Sequence, residues 1–364
     1  MKTLMNNENS VNKGDFFELT GLRLIDNRFR LLEEVSGGKS STSFFGIDES
    51  TGKNIFVKLS IFPRSELEAA RFRNECRFLK EQMWVNSIIK KTPSYISHGE
   101  LFDGSILYLI TEKIEGQLLS DWLDKNFNEA SLTDRLKIAY RVFGAAEHFS
   151  QFTVHHDLHP GNIILLDEEV DLRTRVPDFK VIILDWGQSH SKLEASYAEE
   201  SDDISIIHNG MGRQITASFY NLPPETFMDW HRAGSEYNKY DSWAMGLLLY
   251  KLITGHNLFT FDNIGQFAEA MRHIERDIEF EVAKIREYAG AKSYVLQGLL
   301  YHLLVKEPRD RMFIQTARQV LWFILVEEFE PDNVGMVARF LRDPEGFKEV
   351  RWKHFESDPL AHIY

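Results

Sequence analysis

Asp157 and Asn162 stand five residues apart in VHHDLHPGNIILL (residues 154–166), with a Pro-Gly pair between them. Pro and Gly favour a tight turn, which lets both polar side chains face one side of a single loop. About twenty residues on, Asp185 leaves the apolar run KVIIL and meets a Trp-Gly turn in LDWG. Far upstream, Lys58 closes the run Ile55-Phe56-Val57, and Glu75 follows on a stretch with helical spacing. A lysine on a buried strand is costly unless paired, and Glu75 is its natural partner. A carboxylate beside an acceptor hydroxyl, hard oxygens for a divalent cation, and a cation for phosphate oxygens are the parts that phosphoryl transfer needs. In that reading Asp157 orients or deprotonates the hydroxyl and Asn162 and Asp185 ligate the metal. Lys58 and Glu75 together hold the α- and β-phosphates.

These residues need elements to carry them. Strand character runs from Arg28 to Val35, into the Gly/Ser-rich turn SGGKSSTS, and again over Phe44–Ile47 and Ile55–Leu59. Residues 65–90 place Leu67, Phe72, Cys76 and Leu79 at helical spacing, which predicts a helix. Two further strands, Ser94–Leu101 and Ile106–Ile110, flank the hairpin turn FDGS. Ser131 can cap a long helix ending near Phe152, and IILLD and KVIILD read as strands around the loop VDLRTRVPDF. From Asp241 to about Phe329 the pattern is helical, and Trp243–Ile253 is apolar on nearly every side, so that helix should be buried all round. A strand-rich part followed by a helix-rich part predicts two lobes with a ligand cleft.

Composition narrows the function classes. Lys and Arg number 42 and Asp and Glu 55, a net charge of −13, which disfavours a phosphate-backbone binder and predicts no nucleic-acid partner. Cys76 is the single cysteine, so an intrachain disulfide is excluded and a reducing, cytoplasmic location is expected. No long apolar run predicts a membrane span, and MKTLMNNENSVNKGD has no apolar signal core and reads as a solvated tail.

Taken in order along the chain, the motifs resemble the eukaryotic-type (Hanks-type) protein kinase family over roughly residues 28–325. VSGGKSSTSF stands where that family has its glycine-rich loop, IFVK resembles its strand lysine motif, HHDLHPGN its catalytic loop and LDWG its DFG. LPPE (222–225) resembles the end of the activation segment, DSWAMG (241–246) the start of a large-lobe helix, and EPRDR (307–311) the late arginine motif. The resemblance implies an α+β, bilobal protein kinase-like fold. Its parts would be a tail at 1–14, a strand-rich N-lobe at 15–111, a helical C-lobe at 112–329 and an extension at 330–364. It also implies ATP and Mg²⁺ as cofactors. The nucleotide would be bound by Ser36, Gly37, Gly38, Lys39, Ser40, Ser41, Phe56, Lys58, Thr111, Glu112, Ile114 and Ile164. Asp241 would hold the catalytic-loop backbone, and Arg311 would pair with Glu225.

The chain departs from the family pattern at several points. Ser36, Gly38 and Ser41 occupy the three glycine positions of GxGxxG, and Phe56 replaces a small alanine above the adenine. His156 replaces the arginine that in many relatives meets a phosphorylated activation loop, and His159 replaces the lysine two residues after the catalytic aspartate. HxDLHPGN is also similar to the loop of aminoglycoside- and choline-type kinases. Thr216 or Ser218 falls in the substrate-facing part of the activation segment, after the acidic stretch AEESDD. The three nearby histidines suggest a metal site as a rival reading, with His155 otherwise packing under the loop, and Trp186 and Cys76 read as packing residues. The expected activity is Mg·ATP-dependent transfer to Ser or Thr hydroxyls of a protein substrate. The alternatives are a small-molecule phosphotransferase and a pseudokinase that binds without transferring. The sequence does not set the oligomeric state.

Overall fold

Ile55, Val57 and Leu59 alternate with Phe56 and Lys58, a period of two that commits this segment to a strand with one apolar face. In the computed structural model that strand is central to one of two units into which the chain divides, Met1–Glu115 and Gly116–Tyr364. The structure describes residues 21–37, 41–150, 152–166, 180–191, 221–227, 239–271, 273–326 and 336–347. Gly38, Lys39, Ser40, AEESDD, Thr216 and Ser218 lie outside them, as do the tail and most of the C-terminal extension.

The strand-rich unit holds β1 (Leu24–Ile25), β2 (Phe29–Gly37), β3 (Thr42–Asp48), β4 (Lys53–Ile61), β5 (Tyr95–Leu101) and β6 (Ile106–Glu112) in one antiparallel sheet. Its order is β1-β2-β3-β4-β6-β5. Ile55, Val57 and Leu59 of β4 bury one face with Phe29, Leu31, Phe44, Ile106 and Ile110. Each such side chain contributes roughly 1.5–3 kcal/mol by leaving water. Every residue from Ile106 to Thr111 is buried, because the helix α1 (Glu66–Glu81) packs on β5 and β6. Ser65 caps α1 by accepting from Glu68 N–H at 3.3 Å.

The expected single helix over 65–90 is instead α1 followed by the one-turn α2 (Met83–Asn86). Asn86 fixes where this helical run stops. Its side chain bonds the backbone of Lys91, Thr92 and Pro93, which folds the chain back towards β5.

In the second unit, β7 (Gln117–Leu118) leads into α3 (Leu119–Asn126), and α4 (Leu132–Ser150) follows. Ser131 accepts from Asp134 N–H at 3.2 Å, the cap its sequence position predicts. Two-residue β8 (Thr153–Val154) precedes β9 (Ile163–Leu166), β10 (Lys180–Ile183) and β11 (His190–Ser191). These form the sheets β10-β9-β7 and β11-β8. The helices α5 (Tyr240–Thr254), α6 (Ile264–Ala270), α7 (Ile274–Ala283), α8 (Ser293–Leu303), α9 (Ile314–Val326) and α10 (Met336–Arg342) follow, with one further helical turn at Arg286–Ala289 between α7 and α8. As its composition predicts, α5 is buried from Tyr240 to Thr254, with Lys251 the exception. It ends where Gly255 takes φ 82°, a left-handed stop that favours glycine. Among the described residues no helix is long and apolar enough to cross a membrane.

Arg311 ties the late arginine motif to LPPE. Its guanidinium donates to both Glu225 carboxylate oxygens at 2.5 and 2.6 Å and to the Val305 and Lys306 carbonyls at 2.7 and 3.0 Å. Both side chains are buried. Removing one partner strands a buried charge, so Arg311→Met and Glu225→Leu should each cost about 3–5 kcal/mol in urea unfolding. The double variant should recover much of that loss, and strict additivity of the two would contradict this account.

Candidate active site

In the strand-rich unit, the pleat of β4 turns Phe56 and Lys58 away from the face that buries Ile55, Val57 and Leu59. Lys58 sits between Ser43 of β3 and Leu109 of β6. Its ammonium donates to Glu75 Oε2 at 2.7 Å, and Glu75 is buried on α1. Phe56 meets Phe45 edge to face at 6.3 Å and is paired with Thr111. Thr111 donates to its neighbour's carbonyl at 3.2 Å, while the Glu112 carboxylate takes Ser94 N–H at 2.7 Å and Lys90 at 2.8 Å. Burial works against ionisation of Glu112, but Lys90 and Ser94 prevail and hold its carboxyl below the usual range. Ile114, half-buried, lies in the coil after β6. Ser36 and Gly37 pair with Ser43 and Thr42 at the end of β2, and Ser41 begins the return strand.

In the helical unit the register of β9 and β10 sets the geometry. Ile183 pairs with Ile163, so the next residue on one strand meets the preceding residue on the other. Leu184 N–H donates to the Asn162 carbonyl at 2.8 Å, which brings the neighbourhood of Asp185 against Asn162. Asn162 in turn donates its Nδ2 to the Asp157 carbonyl at 2.9 Å and closes the loop. The three polar residues of HHDLHPGN and LDWG therefore converge at one end of the β9–β10 hairpin. Ile164, predicted to touch nucleotide, is half-buried on β9 and paired with Leu118 and Ile182.

The loop that carries Asp157 is held from beneath. Asp241, at the start of α5, accepts the N–H groups of His155 and His156 at 2.7 and 3.0 Å. His156 has φ 67°, a left-handed conformation that a side chain rarely adopts. Those two bonds and an edge-on contact with the Tyr240 ring at 4.4 Å hold it there. His155 bridges the two motifs. Its Nε2 meets the Leu184 carbonyl at 2.9 Å and its Nδ1 accepts Asp157 N–H at 3.2 Å. Both ring nitrogens are thus committed, and His155 packs against Trp186 at 4.5 Å as a structural histidine. Trp186 and Cys76 are buried packing residues.

Gln188 and His159 are among the neighbours of the Asp157 carboxylate. Gln188 Nε2 donates to Oδ2 at 3.0 Å, and His159 Nε2 lies 3.9 Å from Oδ1. The sequence did not single out Gln188. An exposed-looking glutamine after a Trp-Gly turn carries no motif, and only the short helical turn at Trp186–Gln188 aims it back at the loop.

The donor set suits a hard divalent cation. Asn162 commits Nδ2 as a donor, which leaves its amide oxygen as a ligand, and Asp185 supplies a carboxylate from a left-handed position at φ 58°. Among the described residues no group of three His, Cys, Asp or Glu side chains could hold a metal unaided. Two protein ligands are the expected number where substrate phosphates and water complete the shell. A histidine metal centre finds no support.

The family model for the protein kinase domain matches residues 29–323. The chain is 24% identical over 79% of its length to serine/threonine-protein kinase PrkC of Bacillus subtilis, covering 39% of that protein. It is 23% identical over 81% of its length to serine/threonine-protein kinase ksg1 of Schizosaccharomyces pombe, covering 45% of it. Death-associated protein kinase 2 of mouse is 25% identical over 90% of the chain and 80% of its own length. The chain thus spans less than half of the first two relatives.

Burial holds His155 neutral, the Leu184 carbonyl and Asp185 oppose this, His159 adds to it, and the result lies at about 4. The unfolded chain takes up this proton near pH 6.5 and the folded one cannot. In the metal-free protein, stability should therefore be full above about pH 6.5. It should fall by up to about 3 kcal/mol as pH drops towards 4. Urea unfolding against pH, with an NMR titration of the ring, checks this; an imidazolium at pH 6 in the folded protein would contradict it.

Proposed function

The chain belongs to the protein kinase domain family, and from that premise we propose that it is a Mg·ATP-dependent kinase of serine and threonine hydroxyls on protein. The observation that supports this reading is the joint held by Asn162, Leu184 and Asp157, which brings the backbone at Asp157, Asn162 and the strand end before Asp185 to one hairpin end. The names of the relatives, all serine/threonine-protein kinases or a death-associated protein kinase, support a protein acceptor.

The roles follow from the chemistry of each side chain. Asp157, oriented by Gln188, would receive the acceptor hydroxyl in hydrogen-bond reach and take its proton as the bond from its oxygen to the γ-phosphorus forms and the bond from that phosphorus to the β-phosphate oxygen breaks, releasing ADP. Asn162 and Asp185 would hold Mg²⁺, which neutralises charge on the transferring group when bound. Lys58, fixed by Glu75, presents an ammonium to the nucleotide's phosphate oxygens. Ser36 to Ser41, Phe56, Thr111, Glu112, Ile114 and Ile164 are proposed to line the nucleotide. Catalysis is then mostly positioning and electrostatic stabilisation.

The decisive assay supplies labelled ATP and Mg²⁺ with mixed protein acceptors, aminoglycosides and choline, and identifies the product. Phosphoserine or phosphothreonine is expected. Label confined to a small molecule would establish the rival acceptor class, and nucleotide binding without any transfer would indicate a pseudokinase. Asp157→Ala should lower transfer at least about a hundredfold with folding intact; undiminished transfer would refute its role. Gln188→Leu should lower kcat about tenfold, the cost of a hydrogen bond to a charged group, with little change in KM for ATP. A change confined to KM would remove Gln188 from the orientation of Asp157.

A further inference from the structure

Beyond Asp157, the loop at His159–Pro160 and the carboxyl half of α5 line a shallow hollow that is open to solvent. Buried Leu248 and Phe259 contribute apolar surface, and His159, Asn221, Asn257 and Lys251 contribute polar side chains. None of its lining residues is a carboxylate. In a chain with net charge −13 that is against the run of the composition.

Lys251 is the one residue of α5 that is not buried, and it stands half-buried on a helix otherwise committed to the core. Lys58, Lys90, Lys113, Lys137 and Lys284 each meet a carboxylate. The Lys251 ammonium makes no hydrogen bond or ion pair among the described residues. A partly desolvated cation without a counter-charge is unfavourable and draws an anion.

We propose that this hollow is a substrate subsite that takes the carboxylate side chain of an aspartate or glutamate on the protein substrate, near the hydroxyl presented to Asp157. The proposal rests on the protein-kinase reading above and adds the sequence preference of its acceptor. His159 is two residues from Asp157, and an extended peptide advances about 3.3 Å per residue, so the acidic side chain lies within a few residues of the acceptor. The apolar surface packs the methylene stem of the guest while its charged end meets Lys251. One ammonium, without a guanidinium fork, suits a monoanion better than a phosphate dianion.

A degenerate peptide library with a fixed Ser/Thr acceptor, phosphorylated by the full chain and by Lys251→Met and Lys251→Glu, tests this. Wild type should prefer Asp or Glu at one position near the acceptor by about fivefold, the scale of a partly exposed charge pair. Lys251→Met should lose that preference, and Lys251→Glu should favour Lys or Arg at the same position. Charge reversal at a fixed position is a readout that a structural role for Lys251 would not give. If Lys251→Glu does not fold, loss of the preference in the methionine variant decides. Peptide phosphorylation without an acidic preference, or with one that both variants keep, overturns the subsite and leaves the kinase reading standing. Transfer by wild type to a small molecule and to no peptide overturns both.

Discussion

The two hydrogen bonds from His155 and His156 N–H to the Asp241 carboxylate are the constraint on which the helical unit's site depends. They fix a loop that would otherwise relax, because His156 at φ 67° sits where L-residues are disfavoured. The carboxylate is itself buried at the first turn of α5, where the helix dipole favours a negative charge. α5 is hydrophobic nearly all round and cannot shift without opening the core. The rigid body of the unit is thereby transmitted to Asp157 through two backbone donors. His155 passes the constraint on to Leu184, and through Leu184 to Asn162 and the strand end before Asp185.

Much of this was legible in the sequence, for identifiable reasons. Ile55, Val57 and Leu59 alternate in β4, so the strand and the face of Lys58 follow from the period alone. Glu75 could be named as its partner because a strand lysine needs a counter-charge. Asp157, Asn162 and Asp185 are carried by motifs whose order is hard to produce by chance. Other features were not legible. β7, β8 and β11 are two-residue strands that exist only through pairing with distant segments, and such pairing leaves no local pattern. The stop after Asn86 is accompanied by its side chain reaching Thr92, a tertiary choice that helical periodicity over 65–90 cannot report. Gln188 acquires its meaning only from the turn that aims it at Asp157.

The departures from the family pattern are physically coherent. Glycine is required where φ is positive or where another group approaches too closely for a Cβ. Ser36 is not among the described residues with positive φ, and its backbone forms a ladder pair with Ser43. Serine there sacrifices no backbone conformation. Phe56 is likewise accommodated by the sheet, where Phe45 offers an edge-to-face partner.

His156 shows the same logic applied to charge. An arginine at that position would bring a cation to a site enclosed by Tyr240 and the backbone above Asp241, and a charged group there would need a partner of its own. The histidine packs its ring edge-on against Tyr240, and the Asp241 carboxylate accepts the backbone N–H groups of His155 and His156. Among the described residues, packing and backbone hydrogen bonds thus hold this loop. Position 156 offers no guanidinium for a phosphorylated side chain to meet.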